Sequence, residues 1–163
     1  MRFIAITAAL ALAAAATAAA AAPATVHVSI GPKLQKKAEK TYGVREVDQL
    51  AAGLQRDVER QLERTGALQN AQVELVLVDA KPNRPTLKEM GDRPGLSFSS
   101  FSVGGARIEG RATSIDGSVQ PLTYSWYETD IRQSRMRSTW SDAELTFDRF
   151  ARRLSRGQEL ASR

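Results

Sequence analysis

The sequence predicts an α+β fold, a two-layer sandwich in which helices cover one face of a mostly antiparallel sheet. Three observations support this prediction. Apolar residues recur with the period of an amphipathic helix in Val44–Arg64 and again after Ser141, and a buried strand and a hairpin lie between these two segments. Helices and strands that are grouped in this way are typical of a sheet covered on one face. The predicted element order is strand, helix, strand, strand, strand, helix.

The amino-terminal segment predicts export. Met1 and Arg2 form a short positive region, residues 3–12 are an apolar run, and residues 13–22 are almost pure alanine. This is the pattern of a secretory signal peptide. An uncleaved membrane anchor is the alternative, because the apolar stretch is just long enough to span a bilayer. The chain then has three parts: a signal peptide at 1–22, a single α+β domain at 23–157 and a flexible tail at 158–163.

The composition excludes several classes of function. The chain has no cysteine and one histidine, which excludes disulfides, thiol catalysis, ordinary zinc sites and a lipid anchor on cysteine. The net charge of +5 at pH 7 comes largely from two basic clusters. They are Lys33, Lys36, Lys37 and Lys40, and Arg132, Arg135, Arg137, Arg149, Arg152, Arg153 and Arg156. Such clusters favour an anionic surface or are simply solvated. Export argues against nucleic acid as a partner.

The first elements follow from residue spacing. Val26–Ile30 alternates and is β-branched, which predicts a strand, and residues 32–43 predict a short helix that begins at a proline. Val44–Arg64 predicts a long helix, and Gly66 ends it. Its apolar stripe recurs at spacings of three and four: Val47, Leu50, Ala51, Leu54, Val58 and Leu62. Val73–Val78 is nearly all apolar and should be a central strand buried on both faces.

Residues 80–102 predict a long loop, interrupted by prolines and glycines. Loops of this length in small domains are often functional. Asn83, Arg84 and Arg93 are the binding candidates here, because prolines stiffen the loop and arginine donates forked hydrogen bonds to carboxylates or phosphates. A structured connector with solvated arginines is the alternative.

A hairpin is predicted from strands at 104–114 and 119–130. An odd-length loop such as Asp116-Gly117-Ser118 is required. It directs the small residues of the first strand and the large ones of the second to the core, namely Ala106, Ile108, Gly110 and Ala112, and Leu122, Tyr124 and Trp126. A two-residue turn would direct arginines inward. The outward face then carries Arg107, Arg111 and Tyr127, the second set of binding candidates, or it is simply a solvent face.

The last helix should begin near Ser141, which forms a capping box with Glu144. Its predicted buried stripe is Trp140, Ala143, Phe147, Phe150, Ala151 and Leu154. Asp142 is expected to face outward with the arginines of this helix, and Gly157 ends it.

No catalytic residue is assigned. His27 is the only histidine, and a lone strand histidine is more often structural or exposed than catalytic. Ser97 and Ser99 lie in the long loop, and no serine lies in a G-x-S-x-G elbow. A hydrolase in which Lys88 or His27 activates one of these serines is the weakest alternative.

Metal and cofactor sites are not expected. Asp79, Glu89 and Asp92 lack the alternate-residue spacing of a calcium loop. Gly104-Gly105 does not lie between a strand and a helix as a phosphate loop would, so it indicates a bulge or a close approach of strands.

The leader, the element order and the closing motifs Trp140-x-Asp142-Ala143 and Phe147-Asp148-x-x-Phe150-Ala151 carry a resemblance. The chain resembles uncharacterised exported proteobacterial proteins, and its architecture is similar to small periplasmic domains such as the amino-terminal domain of TolB and the curli-secretion lipoproteins. Export, the absence of a recognisable catalytic set and the stiff loop with its arginines and prolines predict a non-catalytic periplasmic or secreted protein, a binding or accessory module of the cell envelope with an envelope protein as its partner. A binder of a small molecule or glycan, with a cleft beside the 80–102 loop, is the alternative. No stable membrane insertion is expected after cleavage, and no functional residue is transferred.

Overall fold

A computed structural model describes residues 22–158. The predicted signal peptide lies outside the described residues except for Ala22, and so does the predicted tail except for Gln158. The elements are strand β1 (Thr25–Ile30), helix α1 (Pro32–Lys37) with a π-helical turn (Ala38–Tyr42), helix α2 (Val44–Thr65), strand β2 (Gln72–Lys81), helix α3 (Leu87–Asp92), strands β3 (Gly105–Thr113) and β4 (Val119–Tyr127), a 3₁₀ turn (Ile131–Met136) and helix α4 (Ser141–Ser155).

The four strands form one mixed sheet in the order β1-β2-β3-β4. β1 and β2 are parallel, whereas β2 with β3 and β3 with β4 are antiparallel. The parallel pair requires a crossover, which α1 and α2 supply. α2 and α4 pack against each other and against the sheet. The α+β prediction and its order of strands and major helices are confirmed, and two of the three strand pairings are antiparallel.

The core lies between the sheet and the pair α2 and α4. The whole predicted stripe of α2 is buried, and so are Phe147 and Phe150 of α4. Gly66 ends α2 in the left-handed conformation, with φ of 66°. In the predicted stripe of α4, Trp140 is only half-buried, while the other members are buried. Spacing at the helical period therefore predicted the helical layer correctly.

Strand β2 is buried on one face only, so the prediction of two buried faces is wrong. Val73, Leu75 and Leu77 point into the core, whereas Glu74 is exposed and Val76 is half-buried. No described element covers the second face of the sheet. Its polar side chains form ion pairs instead, between β3 and β2 (Arg111 and Glu74) and within β3 (Arg107 and Glu109), as suits a face in contact with solvent.

The hairpin has the predicted parity. Ile108 lies opposite Tyr124 and Gly110 opposite Leu122, and the side chains of Ile108, Leu122 and Tyr124 are buried in the core. Ser114 donates its N–H to the carbonyl of Ser118 (2.9 Å), so the loop is Ile115-Asp116-Gly117. The loop has an odd number of residues, as predicted, but it begins one residue earlier than Asp116-Gly117-Ser118. This shifts the pairing of the two strands by two residues, so each side chain still points to the predicted face of the sheet.

The segment predicted as one long loop contains α3. Thr86 begins this helix with a capping box: its hydroxyl accepts from the N–H of Glu89 (3.2 Å), and the Glu89 carboxylate accepts from the N–H of Thr86 (3.0 Å). Six residues are too few to show helical periodicity, but the Thr-x-x-Glu spacing was a readable signal.

Gly110→Ala should lower the free energy of unfolding by about 3 kcal/mol, because an alanine Cβ would lie 2.1 Å from the Glu74 carbonyl oxygen on the adjacent strand. Gly53→Ala on α2 is the matched control. Its nearest neighbour would be the end of the Arg56 side chain at 3.9 Å, so it should raise stability by about 0.5–1 kcal/mol. Urea unfolding followed by circular dichroism measures both. Equal effects of the two substitutions would contradict the close strand approach.

Candidate functional site

Asn83 and Asp142 form a buried pair, here called the Asn83–Asp142 clamp. Both residues are fully buried. The side-chain NH₂ of Asn83 donates to Oδ2 of Asp142 and to the main-chain carbonyl of Ser102. The side-chain oxygen Oδ1 of Asn83 accepts from the main-chain N–H of Asp142 (2.9 Å). Asn83 is therefore bound on both sides by protein atoms, which assigns it a structural role rather than the predicted ligand contact.

Asp142 collects further partners around its carboxylate. Oδ2 accepts from the N–H of Gly104 (3.0 Å), and Oδ1 lies 3.5 Å from Nε of Arg137. A buried carboxylate requires such partners, because burial without them carries a large desolvation penalty. The prediction that Asp142 faces outward is wrong. Its helical position points toward the end of the sheet, where the chain of residues 82–104 covers it.

The predicted capping box at the start of α4 is also wrong. The Ser141 hydroxyl accepts from the N–H of Ser138 (2.8 Å), and Trp140 occupies the N-cap position without a side-chain cap. The turn before the helix takes the hydroxyl that a capping box would use. This turn brings Trp140 to the surface between α2 and α3.

The other two loop candidates differ from each other. Arg84 is half-buried; its Nε donates to the carbonyl of Arg137 (2.6 Å), and it also donates to the carbonyl of Phe98. Arg93 is exposed. Both line a small depression of 220 Å³. Arg84 therefore fastens the 82–102 segment to the turn before α4, whereas Arg93 remains a binding candidate.

A larger groove lies on the other side of this segment, and we call it the Trp140 groove. It has a volume of 730 Å³ and lies between α2, α3 and the start of α4. Its lining includes Leu50 and Trp140. Leu87 and Phe98 also line it and are 71% and 59% exposed. Exposed apolar patches beside a groove are a feature of contact sites, whereas single exposed apolar residues are ordinary.

Glu46 of α2 holds two walls of the groove together. Its Oε1 accepts from the N–H of Leu87 (3.1 Å), and its Oε2 accepts from the indole N–H of Trp140 (3.2 Å). The ring of Tyr42 meets the Trp140 ring edge to face, with centroids 5.6 Å apart. The groove is thus preformed. Sequence reasoning missed these residues, although apolar side chains in a loop rich in proline and glycine were a usable signal.

The outward hairpin candidates are engaged in pairs on the open face of the sheet. Arg107 pairs with Glu109 (2.6 Å), and Arg111 pairs with Glu74. The Tyr127 hydroxyl donates to Asp79 (2.9 Å). Burial, followed by this hydrogen bond to a carboxylate, raises the pKa of Tyr127 well above its usual value. These contacts fit the simpler interpretation of a solvated polar face, and they do not bring these residues to the Trp140 groove.

The side chains considered for a hydrolase or a metal site lie within residues 22–158. No hydrogen bond there joins Ser97 or Ser99 to Lys88, which pairs with Asp92 (2.7 Å), and His27 is exposed on β1. No group of three or more potential metal ligands occurs in this part of the chain. In the same range, no helix has the length and apolar character needed to cross a membrane.

No protein-family model matches the chain, and no curated protein matches it with significant similarity. The function must therefore be argued from the geometry and chemistry of the surface.

Asp142→Ala should lower the free energy of unfolding by about 3–5 kcal/mol, because it leaves Asn83, the Gly104 N–H and Arg137 without their shared acceptor. Asp148→Ala is the control on the same helix. Its carboxylate is exposed and pairs only at the surface with Arg152, so the loss should stay within about 0.5 kcal/mol.

Urea unfolding of both variants tests this. Asn83→Ala should also be strongly destabilising, and the double variant should lose less than the sum of the two single losses. Additive losses would contradict the clamp.

Tyr127→Phe should reduce the decrease in the free energy of unfolding that occurs at alkaline pH. The folded state raises the Tyr127 pKa above the ordinary value of 10.0, so the stability from its protonated form is present below that pH and is lost as the pH rises above it. The free energy of unfolding, measured with urea between neutral pH and about pH 11, should fall more steeply for the wild type than for the variant. Parallel curves would show that the hydroxyl has no raised pKa.

Proposed function

We propose that the protein is a non-catalytic binding module of the bacterial cell envelope, and that it accepts an apolar segment of a partner protein in the Trp140 groove. The observation that carries this proposal is the pair of exposed apolar side chains in its lining, Leu87 and Phe98. Together with Trp140 and Leu50 they make an apolar centre. Protein interfaces have this anatomy, with aromatic and apolar anchors inside a polar rim.

The rim supports the same interpretation. Gln49, Arg56 and Glu144 line the groove around the apolar centre. Such groups hydrogen-bond the backbone and polar side chains of a bound segment and exclude water from the anchors. Because Glu46 and Arg84 already fix the surrounding backbone, little ordering entropy is lost when a partner binds.

The envelope location rests on the leader. A positive start, an apolar run and a stretch of small residues occupy 1–22, and this pattern directs a chain to the export machinery. The absence of cysteine from the sequence is compatible with an oxidising compartment. The periplasm is the proposed destination, in line with the resemblance to exported accessory domains.

A small molecule or glycan is the second candidate occupant. The groove volume of 730 Å³ lies within the range of small-ligand sites, about 300–1,000 Å³. Trp140 beside polar rim groups suits the face of a sugar ring. This candidate predicts that the groove works without any protein partner.

Site-specific photocrosslinking in the native envelope tests the proposal. A crosslinker at position 98 should capture a reproducible envelope protein, whereas one at position 115, on the hairpin loop, should not. The captured protein is then purified, and its affinity is measured. Leu87→Ser with Phe98→Ser should weaken binding at least about tenfold, since anchors of this size contribute more than 1 kcal/mol each.

Ile115→Ser is the matched control, because Ile115 is equally apolar and 81% exposed but lies on the hairpin loop. It should leave the affinity unchanged. Unchanged binding by the Leu87 and Phe98 variant would overturn the groove as the contact. Recovery of the monomer alone, with a glycan or small molecule protecting the groove from labelling, would favour the second candidate.

A further inference from the structure

The region around the β3–β4 loop, which we call the hairpin end, combines arginines with exposed aliphatic side chains. The arginines belong to the last two turns of α4 and the next residue: Arg149, Arg152, Arg153 and Arg156. They line a groove of 450 Å³ beside β4. The aliphatic side chains are Ile115 in the hairpin loop, 81% exposed, and Val119 at the start of β4, 58% exposed.

Contacts between α4 and β4 place the arginines along β4, with Arg149 farthest from the hairpin and Arg156 nearest to it. Arg149 lies over the Trp126 ring, with its guanidinium 4.1 Å from the centroid, and Arg153 lies over the Tyr124 ring at 5.6 Å. Four helix residues rise about 6 Å and two strand residues about 6.6 Å, so the elements advance in step. Arg156 therefore comes level with Leu122, about 10 Å from Val119 along the strand.

Positive charge predominates on this surface, and the hairpin loop contributes one exposed acid, Asp116. The stretch 148–156 contains four arginines and one acid, Asp148, which pairs with Arg152 (2.9 Å). Arg149 and Arg153 are positioned by the aromatic rings beneath them. Clustered guanidinium groups on a surface attract polyanions and bind phosphate oxygens through forked hydrogen bonds.

We propose that the hairpin end docks on an anionic membrane surface, with Ile115 and Val119 entering the headgroup region and the arginines binding lipid phosphates. The aliphatic side chains belong to a hairpin loop and the strand that leaves it, and a bilayer accepts a projecting loop where a protein partner would need a matching cavity. Reversible membrane binding requires two signals of this kind, an apolar insertion and a basic patch. This proposal does not rest on the Trp140 groove.

The path of the chain agrees with this orientation. Thr25, the first residue of β1, pairs with Gln72, which pairs with Thr113, which pairs with Val119. The apolar residues 3–22 therefore join the domain at the level of the hairpin end. A leader held in a bilayer during export would bring this end to the lipid surface.

Vesicle sedimentation tests the proposal. The full chain is expressed, and the exported form of the protein is purified for the assay. Phosphatidylcholine vesicles with and without phosphatidylglycerol are compared. Binding should require phosphatidylglycerol and should decrease at high salt. Arg153→Gln with Arg156→Gln should weaken it about fivefold per arginine, and Ile115→Ser with Val119→Ser about tenfold or more.

Leu87→Ser with Phe98→Ser is the matched control, which removes exposed apolar groups from the Trp140 groove and should leave vesicle binding unchanged. Circular dichroism confirms that each variant is folded. Binding that ignores lipid charge, or variants that bind as the wild type does, would overturn the proposal. A third result would also overturn it: the protein binds polyglutamate through the same arginines but does not bind vesicles. The partner would then be an acidic protein segment.

Discussion

The Asn83–Asp142 clamp is the interaction on which the surface of this protein depends. The buried carboxylate of Asp142 accepts hydrogen bonds from the Asn83 side chain and from the N–H of Gly104, and it lies next to the Arg137 guanidinium. These groups belong to the chain after β2, the chain before β3 and the turn before α4. Main-chain hydrogen bonds also join these stretches, from the N–H of Asn83 to the Thr139 carbonyl and from the N–H of Ser102 to the Asn83 carbonyl (both 2.7 Å). The Asp142 carboxylate adds a side-chain link among all three stretches. Its burial is tolerable because Oδ2 accepts two hydrogen bonds and Oδ1 lies beside the Arg137 guanidinium.

The Trp140 groove follows from this arrangement. The clamp fixes the ends of the 82–104 segment. Arg84 then joins the start of this segment to the carbonyl of Arg137 and to the carbonyl of Phe98 farther along it, and Glu46 joins the start of α3 to Trp140. The backbone is held from below, while Leu87 and Phe98 point away from the core. Leaving two such side chains in water forgoes about 1.5–3 kcal/mol of burial for each. Binding of a partner in the proposed groove would recover part of this free energy by burying them.

What the sequence could predict was set by the range of the interactions. The stripe of α2 and the parity of the hairpin follow from local periods of 3.6 and 2, and both were correct. The roles of Asn83 and Asp142 depend on a contact across 59 residues, and no local pattern shows it. The apolar run of β2 could not reveal that one face lacks a cover, because the number of layers is a property of the whole fold. α3 was readable and missed, through the capping spacing of Thr86 and Glu89, and so were the apolar side chains of the same segment that line the groove.

The two proposed contact surfaces lie at opposite ends of one strand. β3 begins beside the clamp at Gly105 and ends at the hairpin after Thr113, and nine residues of strand separate the ends by about 27 Å. A sheet backed by two packed helices does not bend easily over that distance. Docking of the hairpin end on a bilayer would therefore direct the Trp140 groove away from the lipid, toward partners in the aqueous compartment. Neither contact changes the fold that the other requires, so the two affinities should be independent, and lipid binding would act by concentrating the groove at the membrane surface.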